Sequence, residues 1–354
     1  MDNMEKYLSL LEDGVDGLLL TSRYSRYYSA RFDIAEGVAI VTKNGCRYFT
    51  DSRYIETAEK NLKGYQVQMV DREHPYHDLL NCAIEELGVQ ILGFEEDYLT
   101  VAEFEYYRKS LHAELIPMNK KIHGFRAYKE PWELEIMRRA QKITDQAFAD
   151  VLGRIRVGMT EKQLQGELIY CLYRNGADNL AFDPIAISGP NTSMPHGVAG
   201  DRVIREGDFI TFDFGAMLEG YCSDMTRTVA VGHATEEMQK VYDTVLKAQL
   251  AGIAATKAGM TGKAVDGAAR RVIEEAGYGQ YFGHSYGHSV GLEIHEFPNC
   301  GPGADTVIGE NAVVSAEPGI YIPGKFGVRI EDVVIFRADG CEDITHSPKN
   351  LIIV

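Results

Sequence analysis

Along the first 120 residues, short apolar runs alternate with longer stretches in which apolar and polar positions are mixed. Val15 to Leu20 (VDGLLL) and Gly37 to Thr42 (GVAIVT) have the continuous apolar character of buried strands. Arg47 to Thr50 follows the pair Asn44-Gly45, which predicts a hairpin because Asn-Gly takes up the positive φ angles of a tight turn. Helical patterns over Arg53 to Leu62 and His77 to Leu87 alternate with strand patterns over Tyr65 to Val70 and Gln90 to Phe94. The sum is a small α/β domain with no catalytic constellation of its own.

The alternation breaks near Lys121 to Lys129, and Pro131 opens a long helix. Proline suits a first helical turn because the N–H it lacks would be unpaired there anyway. Trp132, Ile136, Ala140, Ile143, Ala147, Val151 and Ile155 then recur at helical spacing. A domain boundary is expected just before this helix, giving domains 1–124 and 125–354.

The second domain echoes itself. Gly158-Met159-Thr160-Glu161-Lys162 returns as Gly259-Met260-Thr261-Gly262-Lys263, an offset of 101 residues. The same offset pairs Gly166 with Gly267 and Gly176 with Gly277. In each copy the pattern predicts a helix ending at glycine, a threonine cap and a second helix ending at the next glycine. Each copy is followed by two strands bearing carboxylates: Asp213 and Asp224 after the first, Glu317 and Glu331 after the second. A pseudo-twofold fold would set the two hairpins face to face.

Composition narrows the class only a little. The formal charge of −16 repels phosphate backbones and excludes nucleic acid as a natural partner. Six cysteines, with no CxxC spacing, read as reduced thiols rather than a disulfide framework or a structural zinc site. The acidic N-terminus lacks the apolar run of a secretory signal, and no segment has the continuous apolar length of a membrane span. A cytoplasmic protein with no membrane partner is expected.

The carboxylates carry the chemistry. Asp213 sits between Phe212 and Phe214, Glu317 follows Val313-Val314-Ser315-Ala316, and Glu331 precedes Asp332-Val333-Val334-Ile335. An isolated carboxylate on a strand is usually solvated, but these neighbours are core residues. A buried carboxylate must be paired or bind metal. Few basic residues flank the four, so divalent cations are the economical partners. Histidines cluster close by: His284 and His288 in a glycine-rich stretch, then His295 before Glu296-Phe297-Pro298. No Gly-Lys-Ser/Thr ending follows those glycines, so a phosphate cradle is the weaker reading.

This combination resembles the pita-bread metallopeptidases: methionine aminopeptidase, aminopeptidase P, prolidase and their metal-free relative creatinase. Phe49-Thr50-Asp51-Ser52-Arg53-Tyr54 looks like the N-terminal domain of the aminopeptidase P/prolidase branch, so the resemblance covers nearly the whole chain. It implies an α/β fold in which a small creatinase/prolidase-type domain precedes a duplicated, pseudo-twofold α+β catalytic domain.

The resemblance also implies a function, namely two-metal hydrolysis of the bond between an N-terminal residue and proline. Asp213, Asp224, His288, Glu317 and Glu331 match the family's metal ligands in order. Asp224 and Glu331 would be shared by both ions, with Asp213 completing one and His288 and Glu317 the other. Manganese is the expected metal, with cobalt or zinc as alternatives, since oxygen-rich ligation with one imidazole suits all three. Glu317 would handle the nucleophile's proton, His295 would stabilise the developing oxyanion, and His196 would contact substrate and help protonate. Phe182 and Ile185 look like the apolar wall for proline, with His284 and Arg329 on the substrate side. Tyr321 matches a supporting hydroxyl, and an ordinary core tyrosine fits as well. Some prolidases carry an arginine directly after the His-Glu-aromatic-Pro run; Asn299 stands here, so dipeptidase and aminopeptidase both remain open. The alternatives are a methionine-type or broader aminopeptidase, and a creatinase-like or non-catalytic pita-bread protein. A homodimer acting on proline-containing peptides is the assembly the resemblance implies.

Overall fold

Residues 3–12 and 14–354 are described by a computed structural model, in which the chain divides into two units, Met1–Phe125 and Arg126–Val354. In the first unit the apolar runs form a six-stranded sheet. Its order is Gln66–Val70, Gly45–Asp51, Val38–Thr42, Gly17–Leu20, Ile91–Phe94 and Glu114–Pro117. Thr42 faces Gly45 and Val38 faces Phe49, so the Asn44-Gly45 turn closes an antiparallel hairpin as its sequence predicts. The helix Tyr76–Leu87 buries Leu80, Ala83, Ile84 and Leu87 along one stripe and stops at Gly88, whose φ is 71°.

One helix of this unit, Arg23–Ala30, gives no apolar signal. It is built from arginine, tyrosine and serine, and it buries polar side chains that find partners in the fold. Ser22 caps its first turn, and Glu95 accepts hydrogen bonds from the backbone N–H groups of Thr21 and Ser22. The Ser25 hydroxyl donates to the same carboxylate.

In the second unit, Pro131 begins the helix Pro131–Leu152, and Glu130 with Glu133 forms a reciprocal cap. The helix stops at Leu152, so Ile155, although buried, belongs to the loop beyond it. The two copies of the repeat have matching architecture. Thr160 caps Glu161–Arg174 and Thr261 caps Gly262–Glu275, each through its hydroxyl oxygen. Gly158 N–H donates to Ile204 O at 3.0 Å, and Gly259 N–H to Ile308 O at 2.8 Å. Lys162 pairs with Asp201 and Lys263 with Asp305.

One detail departs from the sequence pattern. The preceding helices end at Leu152 and Ala255, several residues before Gly158 and Gly259. Those glycines instead supply the positive φ angles (96° and 88°) of the turn that leads into each threonine cap.

Each half then contributes a sheet over its own apolar core. The first has the order Met225–Ala230, Phe209–Phe214, Ile185–Ser188, all antiparallel. The second has the order Glu296–Cys300, Gly287–Ser289, Val313–Ala316, Asp332–Arg337, Gly340–Asp343. The halves are stitched where their hairpins run side by side: Glu331 N–H donates to Thr226 O at 3.0 Å, and the Thr228 hydroxyl to Arg329 O at 3.1 Å. This seam is where the carboxylates lie.

Candidate metal centre

Side chains alternate across a strand, and that places Asp213. On Phe209–Phe214, Phe212 and Phe214 enter the core of the first half, so Asp213 between them points the other way. Its register neighbours are Ile185 and Thr226. The other three carboxylates stand at strand ends. Asp224 directly precedes Met225–Ala230, Glu317 directly follows Val313–Ala316, and Glu331 directly precedes Asp332–Arg337. Ala316 faces Asp332, so Glu317 and Glu331 leave neighbouring strands at one level.

His288 is the middle residue of Gly287–Ser289. Gly287 has to be glycine, because a Cβ there would lie 1.8 Å from Ser315 O. That close approach lets the His288 N–H donate to Ser315 Oγ at 3.0 Å, while the same hydroxyl donates to Glu317 Oε1 at 3.1 Å. His288 Nδ1 faces Ser289 O at 3.2 Å; a carbonyl only accepts, so Nδ1 carries the proton and Nε2 is left with its lone pair. Nε2 points at acid, 3.3 Å from Glu317 Oε1 and 3.6 Å from Asp224 Oδ2.

The electrostatics ask for cations. Ligand atoms of Asp224, His288 and Glu331 lie within 4.8 Å of one another. Burial first, then the neighbouring carboxylates, pushes the Asp224 and Glu331 carboxyls well above the ordinary range, and burial above all lifts Glu317 to about 7. Asp224 Oδ1 is buried with no hydrogen-bond partner among the described residues, a costly state for an acceptor. Burial holds His288 below its ordinary value, which keeps the imidazole neutral and able to donate its lone pair. A hard oxygen set with one neutral imidazole, one orphaned carboxylate oxygen and too little positive charge fits divalent cations.

A cavity of about 690 Å³ opens over this cluster. Asp213, Asp224, His288, Glu317 and Glu331 all line it. His196 and His295 face the same space, as do Phe182 and Ile185. His284 and Arg329 complete the wall. Every residue expected from the sequence as a ligand, catalytic group or substrate contact therefore lines one cavity.

The Arg329 guanidinium donates to Asp213 Oδ2 at 2.5 Å and to the Tyr321 hydroxyl at 2.8 Å, so Tyr321 supports the site from behind its wall. The Tyr321 hydroxyl lies 3.0 Å from His284 Nε2. His284 is pushed down to about 4 by burial and then by Arg329, so it is a neutral ring at physiological pH. The His295 ring lies 4.2 Å from that of His288, centroid to centroid.

Several contributors were not singled out from the sequence. The Thr226 hydroxyl donates to Glu331 Oε2 at 2.6 Å, and Gln141 Oε1 accepts from the Asp224 N–H at 3.3 Å. Thr226 stands two residues after Asp224, just inside the strand that Asp224 precedes, a spacing that period-two reading could have caught. Gln141 is a fully buried polar residue on a helix whose neighbours are apolar. Glu161 is also fully buried; it accepts from Ser188 N–H at 2.7 Å and from Gly200 N–H at 3.0 Å, bracketing the loop that carries His196.

Comparison with known proteins agrees with this architecture. The model of metallopeptidase family M24 matches residues 135–338, and that of the creatinase/prolidase N-terminal domain matches residues 8–128. A Xaa-Pro dipeptidase of Pyrococcus furiosus is 35% identical over 354 residues, covering 99% of each chain. The solved Xaa-Pro dipeptidase from Bacillus anthracis superposes with a TM-score of 0.96 at 43% identity, over 100% of this chain and 99% of that one. An X-Pro aminopeptidase from Thermotoga maritima superposes with a TM-score of 0.94 at 36% identity, over the whole of both chains.

Proposed function

Because the chain belongs to metallopeptidase family M24, we propose that it is a metallo-exopeptidase that cleaves the bond between an N-terminal residue and proline. The observation that supports this reading is the close group of Asp224, His288 and Glu331 in a cavity that Asp213, Glu317 and the apolar Phe182 and Ile185 also line. Asp213, Asp224, His288, Glu317 and Glu331 would hold two divalent ions, with manganese the proposed metal. The chemistry supplied by bound ions is Lewis acidity, which polarises a carbonyl and acidifies water at neutral pH.

The remaining work falls to protein groups. Glu317, on the cavity wall beside His288, would take a proton from the attacking water. His295 Nε2 or Nδ1 donates to the carbonyl oxygen as negative charge builds there. The departing proline nitrogen has no hydrogen of its own and must gain a proton as the C–N bond breaks; His196, on the cavity wall, delivers it. Phe182 and Ile185 receive the proline ring, while neutral His284, its ring nitrogens facing the Tyr321 hydroxyl and Ser285 O, walls the substrate side without adding a charge. The cation of Arg329 keeps Asp213 oriented across the site.

A homodimer in the cytoplasm completes the proposal. Among the described residues no helix is long and apolar enough to cross a membrane. The test is steady-state hydrolysis of Ala-Pro, Ala-Pro-Ala and Met-Ala-Ser by manganese-loaded protein. Cleavage of the two proline peptides alone, abolished by chelation, is the expected result. Preference for Met-Ala-Ser, or full activity after complete metal removal, would overturn the reading.

A further inference from the structure

His295 ends the loop that starts at Gly291 and leads into the strand Glu296–Cys300, and that loop is held by charges that do not line the cavity. The Glu296 side chain is 3% exposed, and two cations reach it from the first residues of the second unit. Lys129 Nζ donates to Glu296 Oε2 at 2.8 Å, and Arg126 Nη2 lies 3.0 Å from Glu296 Oε1. Arg126 also pairs with Glu293. Lys129 itself is fixed, because its ammonium donates to Arg126 O at 2.6 Å and its N–H to Asn311 O at 2.9 Å.

The loop is folded around the same carboxylate. Glu293 N–H donates to Glu296 Oε1 at 3.2 Å, and Gly291 N–H donates to Glu293 O at 3.0 Å. Gly291 leaves room for this: a Cβ there would lie 2.3 Å from Glu296 Oε2. A buried carboxylate therefore closes the loop on itself and bolts it to Arg126 and Lys129. His295, next in sequence, is left with its ring against His288.

We propose that Glu296, gripped by Lys129 and Arg126, is a positioning residue that fixes His295 over the reacting carbonyl. The proposal rests on the reading of His295 as the donor to the developing oxyanion. A hydrogen-bond donor displaced by about 1 Å can lose on the order of 100-fold in rate, so the tether acts on catalysis without touching substrate.

The test is a cycle of E296Q and H295A, alone and combined, in full-length manganese-loaded protein assayed on Ala-Pro and Ala-Pro-Ala. Metal content and melting temperature are measured on each preparation. E296Q should lower kcat by roughly 10- to 100-fold with little change in KM. It should keep the wild-type metal content, and it should change the rate less than twofold when His295 is already alanine. If E296Q does not accumulate as folded protein, K129M carries the same test, because Arg126 still neutralises Glu296. Equal losses in the wild-type and H295A backgrounds would overturn the proposal by marking a merely structural role. A normal rate for E296Q beside a crippled H295A would overturn it alone, leaving the functional reading intact. A normal rate for H295A would remove both.

Discussion

Arg227 and Asp332 meet at 2.7 Å with both side chains essentially out of reach of water, one residue beyond Thr226 and Glu331 on the two stitched hairpins. Arg227 also donates to Glu331 O at 2.6 Å and to Ser347 O at 2.9 Å, so the pair fastens both halves and the C-terminal segment together. Burial alone would raise the Asp332 carboxyl, but Arg227 and Lys349 outweigh it and hold it below its ordinary value. Removing one member leaves the other charged and buried. Asp332→Asn should therefore destabilise the protein by about 3–5 kcal/mol, read from urea midpoints at constant m-value. A midpoint within error of wild type would mean that the pair contributes nothing net.

Metal removal should make stability fall as pH rises. Glu317 is lifted to about 7 from its ordinary value of 4.5, and Asp224 and Glu331 move in the same direction. A carboxyl raised in the fold binds its proton more tightly when folded, so the native state holds more protons between the two values and loses stability as pH climbs through that window. Thermal melts of chelated protein should therefore drop between about pH 5 and pH 7, a slope that saturating manganese flattens. Melts of chelated protein that rise across that window would contradict the assignment of these groups.

Asp224→Asn separates stability from function. It removes one charge from a crowded, buried set, so the metal-free protein should be at least as stable as wild type. Metal content should fall well below two ions per chain, with activity lost. Elemental analysis and melting of one preparation check both halves; full metal content in this variant would exclude Asp224 as a ligand.

His295→Ala should lower kcat by about 10²–10³-fold and change KM little, because a donor to charge that exists only in the transition state does not hold the ground state. Metal content should stay at the wild-type level, since His288 is the proposed ligand. Single-turnover rates with metal analysis on the same sample decide, and lost metal would reverse the roles of the two histidines.

Much of this was legible in the sequence because it lies in local patterns. The Asn44-Gly45 hairpin, Pro131 at a helix start and the threonine caps of both repeats are each dictated by two or three neighbouring residues. The burial of Asp213, Glu317 and Glu331 was legible for a different reason: a charged residue inside an apolar strand, or directly beside one, declares a burial that must be answered. What stayed hidden depends on partners far along the chain. The helix Arg23–Ala30 is polar in sequence and buried in the fold, and the Arg126–Lys129–Glu296 tether spans 167 residues. Low apolar content hides the first, and no local pattern marks the second.

Within the five-residue motif that opens each copy, Gly-Met-Thr-x-Lys, the two halves differ at one position, and the difference reaches the loop of His196. Glu161 opens the second helix of the first copy and grips the loop of His196 through Ser188, Asn191 and Gly200. Gly262 holds the matching place in the second copy, where a Cβ would lie 2.0 Å from Asn299 O, so the chain there comes in as bare backbone. A perfectly twofold cradle would receive a peptide equally well in either direction. Here one half presents a loop anchored by a carboxylate and bearing one histidine, and the other presents His284, His288 and His295. A chain laid along this frame therefore meets different groups according to the direction in which it lies.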